Sequence, residues 1–235
     1  MHMTLIVIRT DIIHKFIAVF IDFTKAFDLL NRATIIGKLE KIGRDNPLRV
    51  SINNILAHNE VRIQDGKTKF ELIVESNSVL QGDPLSPLHF NVVISDITKI
   101  IQNAPSVRMY LYGNDIVIGS SNRRELQEIM DRLENFAMDN RLKLNCGKTV
   151  QMVFRKGGKV AEYDKITYKG EELNNVNTFR YLGITFQPTI KSFRGHIRER
   201  TLAAIRSIYD IEDPTRLSLS STMTLFNAKT LPVIT

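Results

Sequence analysis

The apolar run Phe16–Ile21 (FIAVFI) ends on Asp22, a pattern that predicts a buried strand closed by an acid. Residues 31–43 (NRATIIGKLEKIG) put Ile35, Ile36, Leu39 and Ile42 on one helical face and stop at Gly43, so a helix is expected there. A second helix should follow Pro47 and present Val50, Ile52, Ile55 and Leu56 to a core. Residues 60–74 alternate around Asp65-Gly66, which is hairpin chemistry. After the turn-rich stretch 81–87, residues 88–102 read as a helix.

Val107, Met109 and Leu111 alternate with Arg108 and Tyr110, and Ile116-Val117-Ile118 follows. This spacing predicts a second hairpin with Gly113-Asn114 at its tip. Residues 122–140 are the clearest helix: Asn122 is placed to cap it, and Leu126, Ile129, Met130, Leu133, Phe136 and Ala137 recur at helical spacing. Short strands are expected at 150–154, 164–168 and 178–186, then basic helices at 192–209 and 215–229. Antiparallel hairpins interleaved with helices make an α+β layer, not a parallel doubly wound sheet.

With 43% hydrophobic and 24% charged residues, the 235-residue chain has the make-up of an ordinary globular protein. Its net charge of +7 favours polyanionic partners, nucleic acid first. Cys146 is the only cysteine, so no intramolecular disulfide and no all-cysteine zinc site is possible, and the chain reads as intracellular, nucleus and cytoplasm not being distinguished. The stretch from Phe16 to Phe23 is interrupted by Asp22 and too short to span a bilayer. Residues 1–8 carry neither a basic leader nor a small-residue cleavage pattern, so no secretory signal and no membrane role is expected.

Two acids stand out, Asp22 at the end of a buried strand and Asp115 beside a hairpin tip. If those strands are neighbours, their carboxylates converge at one sheet edge, as two-metal phosphoryl transfer requires of its oxygen ligands. Alone, each acid is better read as a strand end or a turn starter. The surrounding words decide the matter. FIDFTKAFD at 20–28, VLQGDPLSPLHFN at 79–91, YGND at 112–115, LNCGKT within 142–149, and Tyr181-Leu182-Gly183 stand in that order along the chain. Together they resemble the successive motifs of reverse transcriptases, and AFD, QGDPLSP and LNCGKT are most similar to those of LINE-type (non-LTR) retrotransposons.

The resemblance implies a polymerase palm, a small antiparallel sheet backed by helices, over residues 1–188, and the start of a helical thumb over 189–235. It implies RNA-directed DNA polymerase activity with an RNA template, a DNA primer, deoxynucleoside triphosphates and two Mg²⁺ ions. By motif position, Asp22 and Asp115 would ligate metal, with the Phe23 carbonyl adding an oxygen. Phe27 falls at the steric-gate position, where a ring beneath the sugar excludes a 2′-hydroxyl; its plain alternative is a core phenylalanine. Gln81 and Gly82 would lie beside the incoming nucleotide, and Lys148 would neutralise or protonate the departing pyrophosphate. Tyr112 and Tyr181-Leu182-Gly183 would position the primer end. Lys191, Arg194, Arg198, Arg200 and Arg206, with His196 among them, would grip the duplex backbone, or else form a solvated helical face.

The sequence departs from the family at its main acidic box. Asn114 occupies the first acidic position of Tyr-X-Asp-Asp, so one charge is missing where Mg²⁺ prefers a carboxylate, and Gly113 adds looseness. Only about twenty residues precede Asp22, too few for a fingers region, and neither an endonuclease nor a ribonuclease H segment is recognisable. The expectation is a piece of a larger polyprotein with impaired nucleotidyl transfer. The alternatives are a catalytically silent nucleic-acid-binding module and a decayed transposon remnant. A viral RNA-dependent polymerase is disfavoured by Phe27, and an intron maturase by the LINE-like wording.

Overall fold

The computed structural model describes residues 15–42, 47–57, 84–155, 164–188, 194–210 and 217–234, with short pieces at 60–61, 64–65, 68–69, 73–74, 79 and 161. It comprises two compact units, Met1–Val176 and Asn177–Thr235.

The first unit is built on β1 (Phe16–Ile21), all six of whose residues are buried. Four two-residue strands follow: β2 (Glu60–Val61), β3 (Gln64–Asp65), β4 (Thr68–Lys69) and β5 (Ile73–Val74). Pairing of Asp65 with Thr68 and of Val61 with Ile73 makes the expected hairpin, though its tip, residues 66 and 67, lies outside the described residues. Further along come β6 (Val107–Tyr112), β7 (Asp115–Ser120), β8 (Val150–Phe154), β9 (Thr167–Tyr168), β10 (Glu171–Glu172) and β11 (Asn174–Asn175). The main sheet has the order β11-β8-β1-β7-β6. Strand β1 is therefore central, antiparallel to both neighbours, with Ile21 opposite Ile116 and Phe20 opposite Val150. A strand flanked on both sides and covered on both faces must be apolar throughout, which is why FIAVFI carries no alternation.

Helices cover one face. They are α1 (Arg32–Ile42), α2 (Pro47–Ala57), α3 (Ser86–Ile94) and α4 (Arg123–Asp139). Ile35, Phe90, Val93, Leu126, Ile129, Met130 and Leu133 join Ile17, Val19, Ile21, Ile116 and Ile118 in one core cluster. Each such side chain, fully removed from water, contributes about 1.5–3 kcal/mol. Helix α4 starts as its sequence dictates: the Asn122 side chain accepts from the Arg124 and Glu125 amides at 3.1 and 3.4 Å and donates to Glu125 at 3.0 Å. In α1, Asn31 caps by accepting from Thr34 N–H at 3.0 Å. Lys38, halfway along α1, binds Asp96 and the Val93 carbonyl and so ties α1 to the end of α3.

Three expectations change. The helix expected at 88–102 divides into α3 and a 3-10 turn, Ile97–Ile101. The Ser95 hydroxyl donates to the Val92 carbonyl at 2.8 Å, and Asp96 turns away to meet Lys38. In α2, Ile52 and Leu56 are buried, whereas Val50 and Ile55 are exposed. The strand expected at 164–168 shrinks to β9, since Ile166 N–H donates to the Gln151 side chain at 2.7 Å instead of to a ladder.

The second unit opens with a hairpin, β12 (Phe179–Tyr181) and β13 (Ile184–Phe186), followed by α5 (Arg194–Tyr209). Thr185 N–H donates to His196 Nδ1 at 3.3 Å and its hydroxyl to Glu199 at 3.0 Å, so hairpin and helix form one piece. The helix expected at 215–229 begins later, at α6 (Leu219–Leu225), capped by the Ser218 side chain accepting from Ser221 N–H at 3.1 Å. It continues through a π-helical segment, Phe226–Thr230, into α7 (Leu231–Ile234). Pro232 has no N–H to continue an α-helical ladder, and the Leu231 amide bonds back to the Phe226 carbonyl.

Candidate active site

Strand β1 ends at Ile21 and strand β7 begins at Asp115, with Ile21 facing Ile116. One step further along this register Asp22 stands beside Asp115. Their proximity has an electrostatic signature: burial, and then the Asp22 charge, push the Asp115 carboxyl above the ordinary carboxylate range. Two like charges at the end of a buried sheet disfavour each other's ionised form. Asp115 also faces Tyr112 across the β6–β7 ladder, leaving Gly113 and Asn114 as a two-residue turn. Gly113 has φ +58°, a positive φ at the first central position that suits glycine and a tight hairpin. Asn114 is half-buried next to Asp115, and Tyr112 is 66% exposed.

On its other side Asp22 is held by the LNCGKT segment. Its amide donates to Thr149 Oγ1 at 3.2 Å, and its carbonyl accepts from Asn145 N–H at 2.8 Å. Phe23 is bridged to Leu144, and Thr24 N–H donates to the Lys143 carbonyl at 2.7 Å. Lys148 is exposed on this same short loop, its amide bonded to the carbonyl and side chain of Asn145 at 3.1 and 3.3 Å. The motif resemblance assigns no role to Asn145 or Thr149. Asparagine three residues before Lys148 is a turn signal that could have marked the first; nothing local marks the second.

Phe27 lies half-buried in the turn after β1, its ring 5.6 Å from that of Phe90 on α3. Phe23 packs edge-on to the same ring at 6.2 Å. Gln81 and Gly82 lie outside the described residues. In the second unit, Tyr181 is buried and pairs with Ile184. Leu182 and Gly183 between them have φ +48° and +79°, the left-handed pair of a tight hairpin turn. A leucine there is strained, at a cost on the order of 1–2 kcal/mol.

The donor set suits a divalent cation. Two carboxylates and an amide oxygen at one sheet end are hard oxygen ligands, and the raised Asp115 carboxyl shows a negative pair that a cation would relieve. Among the described residues no group of three or more His, Cys, Asp or Glu is arranged for a metal. Beside Asp115, at the position the motif resemblance gives to the first acid of Tyr-X-Asp-Asp, stands Asn114.

A family profile described as reverse transcriptase (RNA-dependent DNA polymerase) matches residues 8–186. The chain belongs to the reverse transcriptase family. Its R2 relatives agree with the LINE-type wording of its motifs. It is 25% identical over 181 residues to the Pol polyprotein of the R2 retrotransposable element of Nasonia vitripennis, covering 71% of this chain and 18% of that protein. It is 27% identical over 187 residues to that of the R2DM element of Drosophila melanogaster, covering 72% and 17%. The chain thus spans less than a fifth of those two relatives, which are larger polyproteins.

The apo telomerase of Candida tropicalis truncated from its C-terminal domain matches with a TM-score of 0.60 at 15% identity, over 80% of this chain and 38% of that one. The Candida tropicalis telomerase in complex with the TWJ fragment of telomeric RNA gives 0.59 at 14%, over 98% and 40%. This likeness is one of fold, and the α+β palm inferred from the motifs holds. Reverse transcriptases in general depend on divalent metal ions. Among the described residues no helix is long and apolar enough to cross a membrane.

Proposed function

We propose that this chain is the palm, with part of the thumb, of an RNA-directed DNA polymerase in which Asn114 weakens nucleotidyl transfer. The observation that carries the reading is the placement of Asp22 and Asp115 at the same end of adjacent strands, where burial and then the Asp22 charge raise the Asp115 carboxyl. Asp22 and Asp115 would hold Mg²⁺, with the Phe23 carbonyl as a further oxygen. The chemistry such ions would supply there is activation of the primer hydroxyl and stabilisation of the leaving pyrophosphate. Lys148, on the loop bonded to Asp22, meets the departing phosphates. Phe27, seated on Phe90, closes the space beneath the sugar, and Gln81 and Gly82 flank the nucleotide. Tyr112 and the Tyr181-Leu182-Gly183 turn hold the primer end, and the basic residues of α5 hold the duplex of RNA template and DNA primer.

The test is primer extension on an RNA template by this chain joined to the fingers of an active relative. Extension that needs Mg²⁺ and vanishes in Asp22→Ala is the expected result. Extension unchanged by Asp22→Ala would sink the assignment. A second reading, a nucleic-acid-binding module without catalysis, is favoured by Asn114 itself and by the +7 charge. It predicts hybrid binding with no extension in either protein.

A further inference from the structure

Asp22 stands where both ladders of the central strand run out. The β1–β8 pairing ends at Phe20 and Val150, and the β1–β7 pairing at Ile21 and Ile116. Beyond those points the Asp22 carbonyl is taken by the isolated antiparallel bridge of Phe23 to Leu144, but no ladder partner takes the Asp22 amide, and backbone groups at a buried sheet end need partners. The structure supplies them from a single loop. The Thr149 hydroxyl accepts from Asp22 N–H at 3.2 Å and lies 3.5 Å from the Asp22 carbonyl, to which it donates. Asn145 N–H donates to that same carbonyl at 2.8 Å. Thr149 is fully buried, and its own amide is fixed to the Asn145 carbonyl at 2.7 Å.

We propose that Thr149 is a positioning residue for Asp22: its buried hydroxyl locks the peptide from which the metal-holding carboxylate projects. This deepens the functional reading above and rests on it. A carboxylate needs its direction fixed to within roughly 10–20° to serve as a ligand, and on its amide side Asp22 is held by the Thr149 hydroxyl instead of by a ladder bond. Threonine suits the task because branching at Cβ leaves its hydroxyl few orientations. The loop does a second thing. Lys148, next to Thr149, has its amide bonded to Asn145, so the lysine and the backbone of Asp22 belong to one hydrogen-bonded piece. Displacing the hydroxyl would loosen both.

The test uses the whole chain with Mn²⁺ as the probe, its binding read by water-proton relaxation, and amide hydrogen exchange at Asp22 as the second readout. Thr149→Val keeps shape and removes the hydroxyl. It should weaken Mn²⁺ binding about tenfold or more, as loss of a group supporting a metal ligand does, and speed Asp22 exchange. Thr149→Ser should restore both toward the parent chain. Should the valine variant fail to fold, Thr149→Ser against Thr149→Ala isolates the same hydroxyl. Mn²⁺ affinity and exchange unchanged on losing the hydroxyl overturn the proposal. Asp22→Asn separates the two levels: if it leaves Mn²⁺ binding intact, or the parent chain binds none, the metal-site reading has failed and the positioning role with it. If Asp22→Asn abolishes binding while Thr149→Val does not, the positioning role alone is wrong.

Discussion

Restoring the missing acid should destabilise the empty protein before it helps the loaded one. Asn114→Asp places a third carboxylate in the turn beside Asp115, one register step from Asp22. Unit charges about 4 Å apart repel by about 1 kcal/mol in water and about 4 kcal/mol at the effective dielectric of a protein surface. Asn114 and Asp115 are only half-buried, so solvent screening favours the low end. Two new pairs at about 1–2 kcal/mol each give a loss on the order of 2–4 kcal/mol, or roughly 5–15 °C in melting temperature for a chain of this size. The sign with pH follows. The Asp115 carboxyl already sits above the ordinary carboxylate range, and the new charge raises it further. A carboxyl raised in the folded state binds protons that the unfolded state has released, so stability falls as pH rises through the carboxylate range. The deficit should therefore vanish on acidification and appear at neutral pH. A divalent cation should reverse it, returning about 2.7 kcal/mol at a hundredfold excess over its dissociation constant. Differential scanning calorimetry of parent and variant, at acidic and neutral pH, with and without Mg²⁺ or Mn²⁺, measures all of this. In the fingers-joined protein the same change should raise primer extension about a hundredfold or more, since each 1.4 kcal/mol of recovered transition-state stabilisation is about tenfold. Equal melting temperatures at neutral pH and equal responses to cation would show that residue 114 does not face the acidic pair.

Two further outcomes follow from other parts of the molecule. Replacing Arg198 and Arg200 together by Ala should flatten the salt dependence of RNA–DNA hybrid binding by about one to two units of log–log slope, each phosphate contact contributing about 0.9; an unchanged slope in filter binding would remove α5 from the interface. The Ser106 hydroxyl, then the Ser106 amide and Asn122, hold the Glu125 carboxyl below its ordinary range against the opposing pull of burial, so its stabilising contribution is present above the unfolded carboxylate value and lost as pH falls through the folded one. Urea midpoints from about pH 3 to pH 7 should accordingly depend less on pH in Glu125→Gln than in the parent, and parallel curves would contradict that role.

The elements legible in the sequence are those whose own residues determine them. Strand β1 was readable because a central strand covered on both faces has to be apolar at every position. Helix α4 was readable because Asn122 and Glu125 make its cap from within the sequence, and the β6–β7 hairpin because Gly113 supplies the positive φ its turn needs. What the sequence hid depends on partners far along the chain. The break after α3 comes from Lys38, distant in sequence, reaching Asp96. The shortening of β9 comes from Gln151 taking the Ile166 amide. The site divides in the same way. Asp22, Asp115 and Asn114 were legible as words of a family motif, and their adjacency as a consequence of strand order. The grip of Thr149 on Asp22 joins residues 127 apart, and no local pattern announces such a bond.

The scaffold and the chemistry of this palm answer to different pressures, and Asn114 sits where they conflict. Among the described residues beneath the acids, Ile17, Val19, Ile116 and Ile118 are fully buried, and the loop of Asn145 and Thr149 closes on Asp22. Three carboxylates at one sheet end would strain that scaffold whenever no cation is bound, since each ionises at the expense of the others. Exchanging one of them for an amide of nearly the same shape removes a unit of repulsion, keeps an oxygen, and leaves the turn geometry set by Gly113 untouched. On the reading proposed above, an amide at residue 114 stabilises the fold as it weakens the site, the trade-off expected where an active site stores unfavourable charge.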